Sequence, residues 1–131
     1  MKIYSDLENV YILVDYHPTH SQLLFRSMKN KHRNYNIDIL IKPVFFLSVP
    51  TKIEGVEISI VEDDDMINAL KVNYNFDTKY YKIFSLLDSH KRIHYINASL
   101  FGVYHNNFET SESYLEKVPY VSPGECVLLY K

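Results

Sequence analysis

Over residues 37–49 every odd position is apolar: Ile37, Ile39, Ile41, Pro43, Phe45, Leu47 and Val49. The even positions, Asp38, Leu40, Lys42, Val44, Phe46 and Ser48, are mixed. A period of two puts one uniformly apolar and one partly apolar face on an extended strand, which predicts the central strand of an antiparallel sheet. Pro43 has no N–H to give to a ladder, so it predicts a bulge, an edge-facing position or a break.

Shorter alternating runs surround this stretch. Residues 10–16 place Val10, Ile12, Val14 and Tyr16 on one face and Tyr11, Leu13 and Asp15 on the other, and the turn residues His17, Pro18, Thr19 and His20 follow. Residues 22–28 predict a second strand, with Leu23 and Phe25 opposite Leu24 and Arg26, and the polar turn 29–34 leads into the central one. After the turn 50–55, Val56, Ile58 and Ile60 alternate with Glu57 and Ser59. Glu62 to Asp65 then supplies an N-cap and first-turn carboxylates for a short helix ending near Asn73, striped by Met66, Ile67, Ala69 and Leu70. A hairpin is predicted over 80–87 and 93–104, turning at 88–91, with a helix over 98–104 as the alternative for its second arm. Ser113 and Glu116 have capping-box spacing for a small helix carrying Tyr114 and Leu115, and residues 126–130 form a last strand. The sum is an α+β chain, mostly antiparallel β-sheet, as a curled sheet or open barrel of about six to seven strands with one or two short helices.

Composition narrows this picture. A chain of 131 residues that is 47% hydrophobic and has three Gly and five Pro predicts one compact domain over 1–131. Twelve Tyr and no Trp give strands that pack yet present hydrogen-bonding tips, although a bias toward Lys, Asn, Ile and Tyr in the coding sequence would do the same. A formal net charge of −2 argues against a general nucleic-acid binder. The charge is unevenly placed, however: Arg26, Lys29, Lys31 and Arg33 cluster without an acid, and Glu54, Glu57, Glu62, Asp63, Asp64 and Asp65 cluster without a base. One cysteine, Cys126, excludes an internal disulfide, and its CVLLY setting predicts a buried core position. No run approaches signal-peptide or membrane-span length, so the expected location is the cytoplasm.

Signals for chemistry are sparse. Three isolated glycines exclude a phosphate loop, no G-x-S-x-G elbow exists, and no cofactor is expected. The pairs His17 with His20 and His90 with His94 are too few for a zinc site, and the acidic run lacks the spacing of a calcium loop. His17 and Thr19 form one H-x-T, which resembles half the signature of the 2H phosphoesterases; that family uses two, which makes a small hydrolase built on the HPTH turn the alternative reading. The Arg26 to Arg33 cluster beside aromatic strands gives a third reading, a small RNA-binding domain.

In overall format the chain resembles the stand-alone immunity proteins of bacterial toxin systems, which are small domains of mixed strands and helices with acidic patches. The resemblance transfers no residue. It implies a non-catalytic protein-binding module that occludes a toxin's active site, plausibly that of a basic nuclease, with Glu54, Glu57, Glu62, Asp63, Asp64 and Asp65 as the candidate contact and Tyr side chains as anchors. Edge strands also leave a homodimer open.

Overall fold

The computed structural model describes residues 1–18, 21–115 and 121–131. Its elements in order are β1 (Lys2–His17), β2 (Gln22–Ser27), β3 (Asn36–Ser48), β4 (Lys52–Ile60), α1 (Asp64–Tyr74), β5 (Lys82–Leu87), β6 (Ile93–Asn106) and β7 (Glu125–Tyr130). All pairings are antiparallel, in the order β3-β2-β1-β4-β5-β6-β7, and β3 also pairs with β6. Six strands therefore close into a ring. One edge of β6 runs along β3 for its whole length, while the other is shared between β5 at Ile93 to Ala98 and β7 at Phe101 to His105.

Closure explains the central strand. Ile37, Ile39 and Ile41 point into the ring and join a core with Leu23, Phe25, Val56, Ile58, Phe84 and Val103. Past Ile41 the inward parity switches, so that Val44 is buried and Phe45 is half exposed. β6 switches at the same level, since Ala98 and Phe101 both face the core and pair with Val44 and Ile41. Pro43 lies between these positions, two residues beyond the last β2 pairing at Ile41, and a register shift follows between Val44 and Phe46. The bulge expected from proline is present, and it overturns the strict alternation expected for Phe45.

Several expectations need correction. β1 begins at Lys2 rather than near residue 10; Ile3, Tyr4, Tyr11 and Leu13 pack on the core, while Val10 and Tyr16 are exposed. Residues 98–104 are strand, because both edges of β6 are taken up by partners. Cys126 is exposed. The reason is that β7 has one strand neighbour and carries an extra residue at a bulge, which leaves its first half facing solvent. Residues 113–115 are not helical; Ser113 Oγ donates to Asp15 at 2.7 Å instead of capping a helix, and Glu116 lies outside the described residues.

The outer surface of the ring is covered in two places. Residues 107–115 cross β2 and β3, burying Leu24 and Leu40 under Tyr114 and Leu115. Beneath this strap Arg26, fully buried, donates Nε and Nη2 to Asp38 at 2.7 and 2.9 Å, and Nη1 to the carbonyls of Glu109, Thr110 and Glu112 at 2.9, 3.3 and 2.7 Å. The second cover is α1, seated on Ile83 and Phe76 through Leu70. Asp63 caps it, accepting from Met66 N at 3.0 Å, and Asn75 ends it in the left-handed region at φ 57°. Asn97, fully buried, then holds the returning chain by accepting from Asp77 N and donating to the carbonyls of Asp77 and Lys82.

Candidate protein-binding site

The six acids do not form one patch. Glu54 and Glu57 lie on β4, so Glu54 is about 20 Å of extended chain from the strand's end, whereas Glu62 to Asp65 surround the start of α1. Glu54 accepts from His90 Nε2 at 2.7 Å; that hydrogen bond, with the imidazole's charge, holds the Glu54 carboxyl below the usual carboxylate range. Glu57 lies 3.8 Å from Lys2 Nζ, and Glu62 lies 3.6 Å from the Met1 amino group. Asp63 is occupied by its cap, while Asp64 and Asp65 project from the exposed first turn. The structure thus brings Glu62, Asp63, Asp64 and Asp65 together and leaves Glu54 and Glu57 elsewhere.

Beside this acidic turn is a groove of about 350 Å³. Met1, Ile60, Val61, Met66, Ile93 and Tyr95 give it a mostly apolar lining, which Glu62, Asp63 and Ser85 complete, and the Met1 amino group that pairs with Glu62 is part of the same wall. Met66 and Ile93 are 43% and 55% exposed, more than isolated side chains of a core would be. The helix creates the groove: Leu70, one turn beyond Met66, is buried against the ring, so Met66 is held at the helix margin facing the strands. Tyr95 completes the wall, with its hydroxyl 4.0 Å from Met66 Sδ.

An aromatic row continues from Tyr95. Tyr74 lies 6.4 Å from it, Phe46 5.9 Å from Tyr74, and Phe76 between 5.1 and 5.3 Å from both Phe46 and Tyr74. Phe45 stacks on Tyr81 at 5.5 Å, and Phe45, Tyr74 and Tyr80 are exposed. Sequence reading missed this row, because α1, the 75–81 return and two distant strands contribute to it. The available signal was the density of Tyr and Phe over 74–81 together with Phe45 and Phe46.

The other candidate groups have structural surroundings. Arg26 is buried, Arg33 donates to the carbonyls of Tyr35, Ser27 and Met28, and Lys29 Nζ donates to the carbonyl of Asn107. Of this basic cluster only Arg26 is neutralised, by Asp38; Arg33 and Lys29 direct donors to backbone carbonyls, and Lys31 is exposed. His17 ends β1, and Thr19 and His20, the rest of the H-x-T and HPTH readings, lie outside the described residues. His94 Nε2 lies 3.2 Å from Asp88 Oδ2 and His105 stacks on Tyr35 at 4.3 Å, so these imidazoles do not converge on one point. Among the described residues no three His, Cys, Asp or Glu side chains are grouped to hold a metal ion.

The Asp88 turn shows how local hydrogen bonding shapes charge. Burial alone would raise the Asp88 carboxyl, but donation from Arg92 N, His94, His90 N and the Arg92 guanidinium outweighs it and holds the group well below the carboxylate range. Burial pushes the Tyr11 and Tyr114 phenols up, with Tyr4 and then Asp6 contributing at Tyr11 and Asp38 at Tyr114. Both phenols stay neutral; Tyr11 donates to Asp6 Oδ2 at 2.7 Å, whereas the buried Tyr114 hydroxyl has no hydrogen-bond partner among the described residues. Among the described residues no helix is long and apolar enough to cross a membrane. No family model, no curated protein and no solved structure matches the chain.

Proposed function

We propose that this protein is a non-catalytic protein-binding module acting in the cytoplasm, most specifically an immunity protein that neutralises a basic toxin domain by covering its active site. One observation carries the reading: an exposed apolar groove, lined by Met66, Ile93 and Tyr95 together with the carboxylates of Glu62 and Asp63, adjoins the exposed Tyr74. A desolvatable centre with aromatic neighbours and a charged rim is the anatomy of a protein interface. The carboxylates of Asp64 and Asp65 would steer a positively charged partner and set its orientation. The contact is therefore narrower than the acidic run as a whole, and Glu54 and Glu57 lie outside its centre.

The test is co-purification with a tagged copy, from native cells alone and from native cells mixed with lysate of competing strains, with partners identified by mass spectrometry. The expected result is one stoichiometric basic protein whose retention falls with added salt. Replacing Asp64 and Asp65 by Lys leaves the Asp63 cap in place and should weaken the complex at least tenfold, since two rim attractions become repulsions. Capture unaffected by this variant, or no stoichiometric partner from either source, would overturn the proposal.

A further inference from the structure

Among the described residues β7 is the one strand with a single strand neighbour: it pairs with β6, and no strand lies along its other edge. An edge of this kind presents a row of main-chain N–H and C=O groups in the plane of the sheet, which is a template for a further strand. The devices that blunt an edge are mostly missing, since residues 126–130 contain no proline and no charge. A bulge is present, with Val127 as the extra residue between Cys126 and Leu128. It raises local twist, which a two-stranded contact accommodates more readily than a wide sheet. Leu128 and Tyr130 pack on the core, whereas Val127 and Leu129 are 42% and 45% exposed.

The strand's own sequence selects the occupant. From Glu125 to Lys131 it is self-complementary when two copies run antiparallel about a two-fold axis at Leu128. In that register Glu125 lies opposite Lys131 at both ends, and Val127 lies opposite Leu129 on the exposed face between them. Within one chain neither Glu125 nor Lys131 has an ion-pair partner among the described residues. We infer that β7 pairs with β7 of a second copy, so that the sheet continues across the two-fold axis. A strand from another protein would need an acid, two apolar residues and a base at matching spacings, and a second copy supplies them by symmetry. The pairing satisfies main-chain groups, covers the Val127 and Leu129 side chains, and sets opposite charges face to face at both ends. It uses a surface other than the groove beside α1.

A contact made by one short strand lies at the small end of specific interfaces, so a dissociation constant of about 100 μM is expected. Sedimentation equilibrium of the full chain, from about tenfold below to tenfold above that concentration, should show the mass doubling. Lys131→Glu sets like charges opposite each other at both ends and should weaken the dimer about tenfold, as should Glu125→Lys. Combining the two swaps restores both attractions and should return the dimer to within about threefold of the natural chain, a recovery that a merely structural effect of either change would not give. Register is read on a Cys126→Ser background in a glutathione redox buffer. A mixture of Val127→Cys and Leu129→Cys chains should form a disulfide, because opposite positions of an antiparallel pair lie within disulfide reach, and neither chain alone should do so. A chain that stays monomeric throughout, a dimer unaffected by either reversal, a combined swap that stays dissociated, or cross-linking as fast within each chain alone would overturn the inference. An edge reserved for a strand of a foreign partner would show as the monomer. The occlusion reading is tested separately, at Asp64 and Asp65, and survives any of these outcomes.

Discussion

Arg26 provides the severest test of how the fold is held. Replacing it by Met keeps most of the stem volume and removes the guanidinium, which leaves the Asp38 carboxylate buried with Asn106 Nδ2, at 2.8 Å, as its remaining side-chain donor. Breaking a buried ion pair from one side costs about 3–5 kcal/mol. The three strap carbonyls lose their shared donor too, but Glu109 and Thr110 are exposed, so water replaces much of that and the addition is about 1 kcal/mol. A total of about 4–6 kcal/mol approaches the whole stability of a marginal domain, about 5–15 kcal/mol. Urea unfolding followed by far-UV circular dichroism and tyrosine fluorescence, available because the chain has twelve Tyr and no Trp, measures it. The double variant Arg26→Met with Asp38→Leu removes both charges and should be more stable than Arg26→Met alone by about 2 kcal/mol or more. Proteolysis within 107–115 should accelerate in the single variant, since Arg26 links those carbonyls to β2. A single-variant cost under about 1.5 kcal/mol, or a double variant no more stable than the single, would refute the claim that a desolvated ion pair anchors the strap.

Two further outcomes follow from the same reasoning. Leu70→Ala should cost about 2–5 kcal/mol in urea unfolding, because Leu70 is the buried contact between α1 and Ile83 and Phe76; it should also broaden the Met66 and Tyr95 resonances, and sharp unchanged signals would show that α1 does not depend on this contact. Asp88 is held below its ordinary value of 3.8 in the folded chain, so its contribution is complete above that value and is lost as pH falls toward the lower folded value. Asp88→Asn should therefore be most destabilising at neutral pH, with the difference from the natural chain shrinking below about pH 4; a difference independent of pH in urea midpoints would contradict this.

Periodicity made the strands and the helix legible because each reports which face is apolar, and that depends on residues two to four apart. Ile37, Ile39 and Ile41 face the core as alternation requires, and Asp63 caps α1 where the acidic run begins. The same local signal misassigned Phe45 and Cys126. Phe45 sits within the register shift between Val44 and Phe46, past the point where β3 and β6 switch inward parity together, and Cys126 lies on a strand with one neighbour, so the exposure of each is fixed by partners distant in sequence. Gly55 is a similar case: its φ of 76° and a Leu7 carbonyl 2.8 Å from where a Cβ would stand explain a glycine that the sequence shows only as a turn residue.

The candidate site divides in the same way. The acidic run and the abundance of tyrosine were visible in the chain, and they were sufficient to suggest a charged, aromatic contact. Tertiary structure alone decided that Glu54 and Glu57 stand apart, that Arg26 is internal, and that Met66 meets Ile93 and Tyr95 across a groove. The sequence by itself determined local conformation, since backbone propensity, capping and face polarity act over a turn or a strand pair. Ring closure through β3 and β6 determined the rest, because it joins residues some sixty positions apart and thereby chooses which side chains lose water and which remain to meet a partner.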